Sequence, residues 1–232
     1  MSKLKVMSVF GTRPEAIKMA PLALELQRRE SIESLICVTA QHREMLDSVM
    51  HCFGLKADAD LNIMGKNQTL TDVTVKALKG LEGCFAELRP DLVLVHGDTS
   101  TTFSAALAAF YAKIPVGRCL VGRLATLHFA PTAKNAENLR AEAVTGDIFI
   151  TGNTVIDAMK YTVGDGGFAS SELKSIDFSK RVIAMTCHRR ENYGEPMKNI
   201  FSAVRTVALT HPDVEIVYPV HLSPVVRGAA SE

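Results

Sequence analysis

Apolar and polar positions fall in short blocks along this chain, and the blocks repeat. Residues 6–26, VMSVFGTRPEAIKMAPLALEL, open with an apolar run over Val6, Met7, Val9 and Phe10 that Gly11 ends, the pattern of a strand buried on both faces of a parallel sheet. Pro14 stands where a helix's first turn tolerates a missing N–H, and Glu15 where the helix dipole favours a carboxylate. A helix is predicted to open there, and Ile17, Ala20, Pro21 and Leu24 continue it at helical spacing, with Pro21 a kink or an early-turn proline. Such a strand-turn-helix leaves backbone N–H groups at the helix start beside Arg13 and Lys18, which suits an anionic ligand such as a diphosphate. The alternative is that both cations are solvated helix-end residues.

The same grammar runs on. Residues 35–39 (LICVT) read as a second strand, followed by a helix carrying Met45, Leu46, Val49, Met50 and Phe53. Thr69 or Thr71 can cap a long helix through Val73, Leu78, Leu81, Phe85 and Leu88, which Arg89 and Pro90 end. Residues 92–100, LVLVHGDTS, repeat the opening pattern: a strand, a turn at Gly97 and Asp98, and Thr99 or Ser100 capping a helix over 103–112. Short strands follow at 115–116, 126–130 and 148–151, and a helix at 153–161. Strict alternation predicts an α/β fold with a Rossmann-like doubly wound parallel sheet, where ligands bind beyond the carboxyl ends of the strands.

At 164–180 the periodicity stops in favour of glycine, serine and charge, which reads as a linker between a first domain at 1–163 and a second at 181–232. The second begins afresh with a strand at 182–185, a polar turn at 186–194, a helix at 197–209 and a strand at 214–220 running into His221. One βαβ unit cannot bury a sheet on both faces. The second domain therefore reads as unfinished, and its strands are expected to expose apolar faces that favour poor solubility or self-association.

Composition narrows the partners. The 232 residues carry 26 basic and 25 acidic side chains, a net charge of +1, so no long-range field argues for nucleic acid or an anionic membrane. Five cysteines, Cys37, Cys52, Cys84, Cys119 and Cys187, show no CxxC or CxxH spacing, which fits free thiols in a reducing compartment better than a disulfide framework or a metal site. No run of about 18 apolar residues occurs, and a cytoplasmic protein is expected.

Four polar turns at strand ends could carry chemistry. His96, Gly97, Asp98 and Thr99 put a carboxylate where a ligand would lie, unless Asp98 merely caps the next helix. The run from Cys187 through His188, Arg189, Arg190 and Glu191 to Asn192 packs an acid/base candidate, two guanidiniums and a carboxylate into one turn. Gln41, His42 and Arg43 form a sugar or phosphate contact or an exposed helix start, and His221 is equally open. His51, His128 and His211 read as structural.

These residues carry a resemblance. GTRPEAIKMAPL at 11–22, TAQHREML at 39–46, HGDTSTTF at 96–103, HFAPT at 128–132, TGNTVIDA at 151–158 and HRREN at 188–192 resemble, in order and over nearly the whole chain, the non-hydrolysing bacterial UDP-N-acetylglucosamine 2-epimerases. The resemblance implies two Rossmann-like domains in the glycosyltransferase-B arrangement and interconversion of UDP-GlcNAc and UDP-ManNAc, a precursor of surface polysaccharides. It implies elimination of UDP to 2-acetamidoglucal followed by re-addition, with no cofactor and no metal. By the same resemblance Arg13 and Lys18 serve the substrate or its diphosphate, Asp98 is an acid/base carboxylate and His188 joins the catalytic set. Gln41, Arg189, Glu191 and His221 match positions around sugar-nucleotide binding, including a second, regulatory nucleotide. A homodimer through the first domain is also common in the family.

The departures are specific. Where the family continues past the strand at Val116 and Gly117 into EAGLR and PEE-x-NR motifs that supply two catalytic glutamates, this sequence reads VGRCLVGRLATLHFAPT, and neither glutamate has a counterpart. The sequence also stops before the SGGIQEE motif and the uridine pocket. An impaired or inactive epimerase is expected, with a non-catalytic sugar-nucleotide-binding or regulatory module as the alternative; a remnant without a ligand and a hydrolysing epimerase stand further off.

Overall fold

The computed structural model describes residues 3–40, 43–65, 67–119, 125–164, 167–168 and 170–231, so the expectations for Gln41 and His42 lie outside the described residues. The chain divides into two compact units, Met1–Gly164 and Asp165–Glu232.

In the first unit β1 (Leu4–Phe10), α1 (Arg13–Gln27), β2 (Ile32–Val38), α2 (Arg43–Cys52), β3 (Ala59–Asp60), α3 (Leu70–Leu88), β4 (Leu92–His96), α4 (Ser100–Tyr111), β5 (Val116–Cys119), β6 (Leu127–Ala130), α5 (Ala133–Ala141), β7 (Asp147–Ile150) and α6 (Thr154–Thr162) follow in order. The strands form one sheet in the order β3-β2-β1-β4-β5-β6-β7, every pair parallel. The chain leaves β1 in one direction for β2 and β3, then returns through α3 to β4 on the other side. β1 and β4 thus flank the point where strand order reverses, the place where such sheets open a crevice at their carboxyl ends.

Period-2 burial sorts the core. Val6, Phe10, Ile36, Val38 and Leu94 pack with Ala16, Met19 and Ala20 of α1 and Leu46 and Val49 of α2. Met7, Val9, Cys37, Val93, Val95 and Val116 turn to the other face, against Leu81 and Phe85 of α3 and Ala105 and Ala109 of α4. The helix starts follow local chemistry: Thr69 accepts from the Asp72 N–H at 3.1 Å and Thr99 from the Thr102 N–H at 3.2 Å, each satisfying a first-turn donor. Pro21 stands inside α1, where it forgoes one backbone hydrogen bond while the helix runs on.

One crossover departs from the rest. Gly117 of β5 pairs with Leu127 of β6, and only residues 120–126 separate these two parallel strands, whereas a parallel crossover ordinarily takes about a dozen residues or more and a helix. Ala108 and Tyr111 of α4 line the groove against α3. Phe103 and Phe110, roughly 80–160° around the helix from them, are 52% and 56% exposed.

The second unit holds α7 (Ser171–Lys174), β8 (Arg181–Ala184), α8 (Glu195–Thr210), β9 (Val214–Val217) and α9 (Pro224–Ser231), with one 3₁₀ turn at Arg190–Asn192. β8 and β9 form a two-stranded parallel sheet. Met197 and Val226 are fully buried beside Cys187, while Ile183 of β8 is 43% exposed. Arg181 clamps the strand starts through Asp213 at 2.6 Å, and this guanidinium holds the Asp213 carboxyl below the usual range. Among the described residues no helix is long and apolar enough to cross a membrane.

Candidate functional site

At the carboxyl edge of the first sheet, the β1–α1 and β4–α4 turns face each other across the reversal point. Arg13 is the first residue of α1 and is exposed; Lys18, a turn and a half on, is half-buried; Asp98, between β4 and α4, is exposed. None of the three charged groups has a hydrogen-bond or ion-pair partner among the described residues. The turn at Gly97, with φ +96°, carries Asp98 past the end of the strand. Thr99, and not Asp98, caps α4, so the carboxylate is not spent on the helix.

Beneath these side chains lies a buried polar lattice. Glu15, 3% exposed, takes the Gly11 N–H at 2.9 Å and the Thr12 N–H at 2.8 Å on one oxygen. The Thr99 hydroxyl reaches the other oxygen, as does the Thr102 hydroxyl at 3.2 Å. Thr39, beyond β2, and Thr101 share a hydrogen bond of 2.8 Å. The expectation that backbone amides at the start of α1 stand free for an anion needs correction: Glu15 already takes those of Gly11 and Thr12. The Arg13 and Lys18 side chains supply the positive charge at this turn.

Beside the edge, a cavity of 330 Å³ runs over one face of the sheet, apolar along Met19, Leu94 and Phe129, with Lys18, His96 and Asn153 also in its lining. A larger groove of 850 Å³ between α3 and α4 is lined by Arg89, Pro90 and Ile114, which precede β4 and β5, and so opens at the amino ends of those strands, away from the crevice where open α/β sheets bind ligands. His128 is buried, its Nε2 2.9 Å from the Thr145 carbonyl oxygen.

In the second unit the polar turn after β8 and the segment after β9 come together. The His188 and His221 rings stack with centroids 5.3 Å apart and planes 9° from parallel. Thr186 Oγ1 lies 3.1 Å from His188 Nδ1, and the Ser223 N–H donates to His221 Nδ1 at 3.1 Å, which puts the proton of a neutral His221 on Nε2. Arg189 and Glu191 pair at 3.5 Å, both largely exposed. The Tyr218 hydroxyl donates to the Cys187 carbonyl at 2.7 Å, tying β9's exit to the base of the polar turn. Arg13, Lys18 and Asp98 thus belong to the first unit, and His188, Arg189, Glu191 and His221 to the second. Among the described residues no group of three or more His, Cys, Asp or Glu side chains is placed to hold a metal ion.

Glu15 and Thr99 were visible as a helix-start carboxylate and a cap, but not as partners. Their contact spans 84 residues, and only the parallel pairing of β1 with β4 brings them together.

Similarity to known proteins fits this geometry. A model of the UDP-N-acetylglucosamine 2-epimerase family matches residues 24–119 and 116–232. The Bacillus subtilis UDP-N-acetylglucosamine 2-epimerase is 51% identical over 99% of this chain and 66% of its own length; the Escherichia coli K12 enzyme of that name is 48% identical over 97% and 67%. The crystal structure of UDP-GlcNAc 2-epimerase from Neisseria meningitidis bound to UDP-GlcNAc superposes with a TM-score of 0.87 at 44% identity, covering 98% of this chain and 69% of that one. A UDP complex from S. aureus gives 0.85 at 46%, covering 98% and 65%. The chain therefore spans about two thirds of the length of the relatives it matches. The alignment with the B. subtilis relative runs over 251 positions yet takes in 99% of a chain of 232, so about twenty positions have no residue here, and the family match is itself broken at 116–119. Fold, ordered motifs and identity agree, and the chain belongs to the UDP-N-acetylglucosamine 2-epimerase family.

Proposed function

We propose that this chain binds UDP-GlcNAc and UDP-ManNAc at the carboxyl edge of its first sheet and interconverts them slowly or not at all. The observation that carries the reading is the pair of groups without a partner among the described residues, Arg13 and Asp98, on either side of the reversal point between β1 and β4. Arg13 and Lys18 hold the diphosphate, and their charge also stabilises it as a leaving group. Asp98 exchanges a proton with the sugar. His188 belongs to the catalytic set, and Gln41, Arg189, Glu191 and His221 contact the sugar nucleotide. The residues work as a 1–163 domain, a 164–180 linker and a second domain from 181, in the cytoplasm, with a homodimer through the first domain as the assembly to test.

In the reaction, a base takes the proton from C2, the C–H electrons form the C1–C2 double bond of 2-acetamidoglucal, and UDP leaves with the C1–O pair. UDP then adds back at C1 while C2 receives a proton on the opposite face. Each face of C2 needs its own proton carrier. The sequence between β5 and β6 supplies none of the glutamates that the family uses there, and the absence of a positioned acid or base costs about 10²–10⁴-fold per group. That short connection also favours the second reading, a sugar-nucleotide-binding module without turnover.

The test is a proton NMR time course with UDP-GlcNAc in deuterated buffer, following the sugar H2 signal and the protein methyl dispersion together. Retained H2 beside dispersed methyls and line-broadened UDP signals is the expected result. Loss of H2 with ManNAc signals growing in would overturn the impairment. A folded protein with unbroadened UDP signals would overturn the binding site itself.

A further inference from the structure

Glu15 has more partners than a helix cap needs. A carboxylate at the third position of a helix commonly reaches back to the amide before the helix, and one oxygen suffices. Here Oε2 does that work alone, accepting from the Gly11 and Thr12 amides and from the Thr12 hydroxyl at 3.0 Å. Oε1 is turned across the crevice. It accepts from the Thr99 hydroxyl, whose oxygen in turn accepts the Thr102 N–H of α4's first turn, and Thr102 Oγ1 stands 3.2 Å from the same oxygen and 2.7 Å from the His96 carbonyl oxygen. The Thr102 hydroxyl has one proton to share between the two, and the shorter contact goes to the carbonyl, so the Thr99 hydroxyl is the donor that joins Glu15 to α4. A Cβ added at Gly97 would stand 3.8 Å from Glu15 Cγ, an ordinary contact, so the Glu15 side chain packs against the strand end.

We propose that Glu15 is a positioning residue, whose carboxylate joins the β1–α1 turn to the β4–α4 turn and so sets the separation of Arg13 and Asp98. Arg13 lies two residues before Glu15, and Asp98 lies one residue before Thr99, so each functional group rides on one end of the joint. The role rests on the reading of this edge as the sugar-nucleotide site. Loosening the joint lets the two charges move apart without removing either.

The test has two arms on the full chain. In the first, amide hydrogen exchange is read by mass spectrometry without ligand for Glu15→Gln, Thr99→Val and Thr99→Ser. Glu15→Gln is expected to speed exchange at residues 97–102 by about tenfold, the size of an ordinary coupling within one hydrogen-bond network. Thr99→Val, which leaves the α1 cap intact, is expected to speed exchange at residues 11–15, and Thr99→Ser to restore both. Exchange that changes only in the turn bearing the substitution would overturn the joint, leaving Glu15 a cap. In the second arm, calorimetry measures UDP affinity for Thr99→Val in the native and Arg13→Ala backgrounds. A loss of about fivefold or more in the first and none in the second is expected if Thr99 acts through Arg13; equal losses in both would overturn the positioning role. If the native chain binds no UDP, the site reading fails while the exchange arm still decides the joint.

Discussion

Gly11 offers the sharpest test of how the carboxyl edge is built. Its backbone is not in the left-handed region, so the demand for glycine comes from space alone. A Cβ there would stand 1.9 Å from Thr39 Oγ1 and 2.5 Å from Thr101 Oγ1, between two fully buried hydroxyls that bond each other at 2.8 Å. Gly11→Ala must push that pair apart. Losing the bond costs about 1 kcal/mol, and a buried hydroxyl left without a partner costs about 1–3 kcal/mol. Displacing packed neighbours adds about 1–3 kcal/mol. The expected total is about 4 kcal/mol, a large share of the roughly 5–15 kcal/mol that holds a domain folded. With a urea slope of about 2 kcal/mol per molar, the midpoint followed by circular dichroism should fall by about 2 M. Thr39→Ala removes the nearer oxygen and frees Thr101 to turn away, so Gly11→Ala in that background should cost at least about 1 kcal/mol less than alone. A midpoint within about 0.5 M of the native chain, or strict additivity of the two substitutions, would refute the close-approach argument.

Other parts of the chain give shorter tests. Ser8 is fully buried in β1 and its hydroxyl has no partner among the described residues, so Ser8→Ala should raise the unfolding free energy by about 1 kcal/mol; a fall would mean the hydroxyl is satisfied. Cys52 is exposed while Cys37, Cys84 and Cys187 are buried. Its neighbour Cys84 and burial push the Cys37 thiol well above the ordinary range, and the thiolate is the reactive form. Mass-mapped alkylation of the native chain should therefore label Cys52 first and Cys37 only on unfolding, and early labelling of Cys37 would contradict its place in the core. Phe103→Ser with Phe110→Ser should reduce light scattering on concentration while leaving the melting temperature within about 2 °C, because both rings are more than half exposed; a larger fall would mean that they are packed.

The strand-helix alternation was legible because each element carries two independent local signals. α3 has an apolar stripe and a capping threonine at Thr69; α4 has Thr99; β1 and β4 are short apolar runs stopped by Gly11 and Gly97. α5 escaped because AKNAENLRA has only Ala136 and Leu139 to bury, too few for a periodic stripe, although Thr132 before it accepts from the Asn135 N–H at 3.2 Å and would have marked its start. β3, two residues long, has no period to read. The strand expected at 214–220 stops at Val217, three residues early, as Pro219 cannot donate to a ladder. At the site, Arg13 and Asp98 could be picked out as charged residues at strand ends, yet their alignment depends on β1 lying beside β4. The spent amides of Gly11 and Thr12 depend on Glu15 folding back over its own helix start.

The placement of the lattice bears on what a chain with a shortened crossover can still do. Among the described residues, the turns that carry Arg13 and Asp98 are tied by buried bonds among Gly11, Thr12, Glu15, Thr39, Thr99, Thr101 and Thr102, which come from β1, α1, the end of β2, β4 and α4. β5 contributes Val116 to the core and pairs with β4 over four residues, as β1 does on β4's other edge. On the proposed reading, ligand-holding and proton transfer are therefore physically separable. Without the crossover's carboxylates C2 lacks proton carriers beyond Asp98, whereas Arg13 and Lys18 stand on α1, on the other side of β4 from the crossover, and keep their charge for a diphosphate.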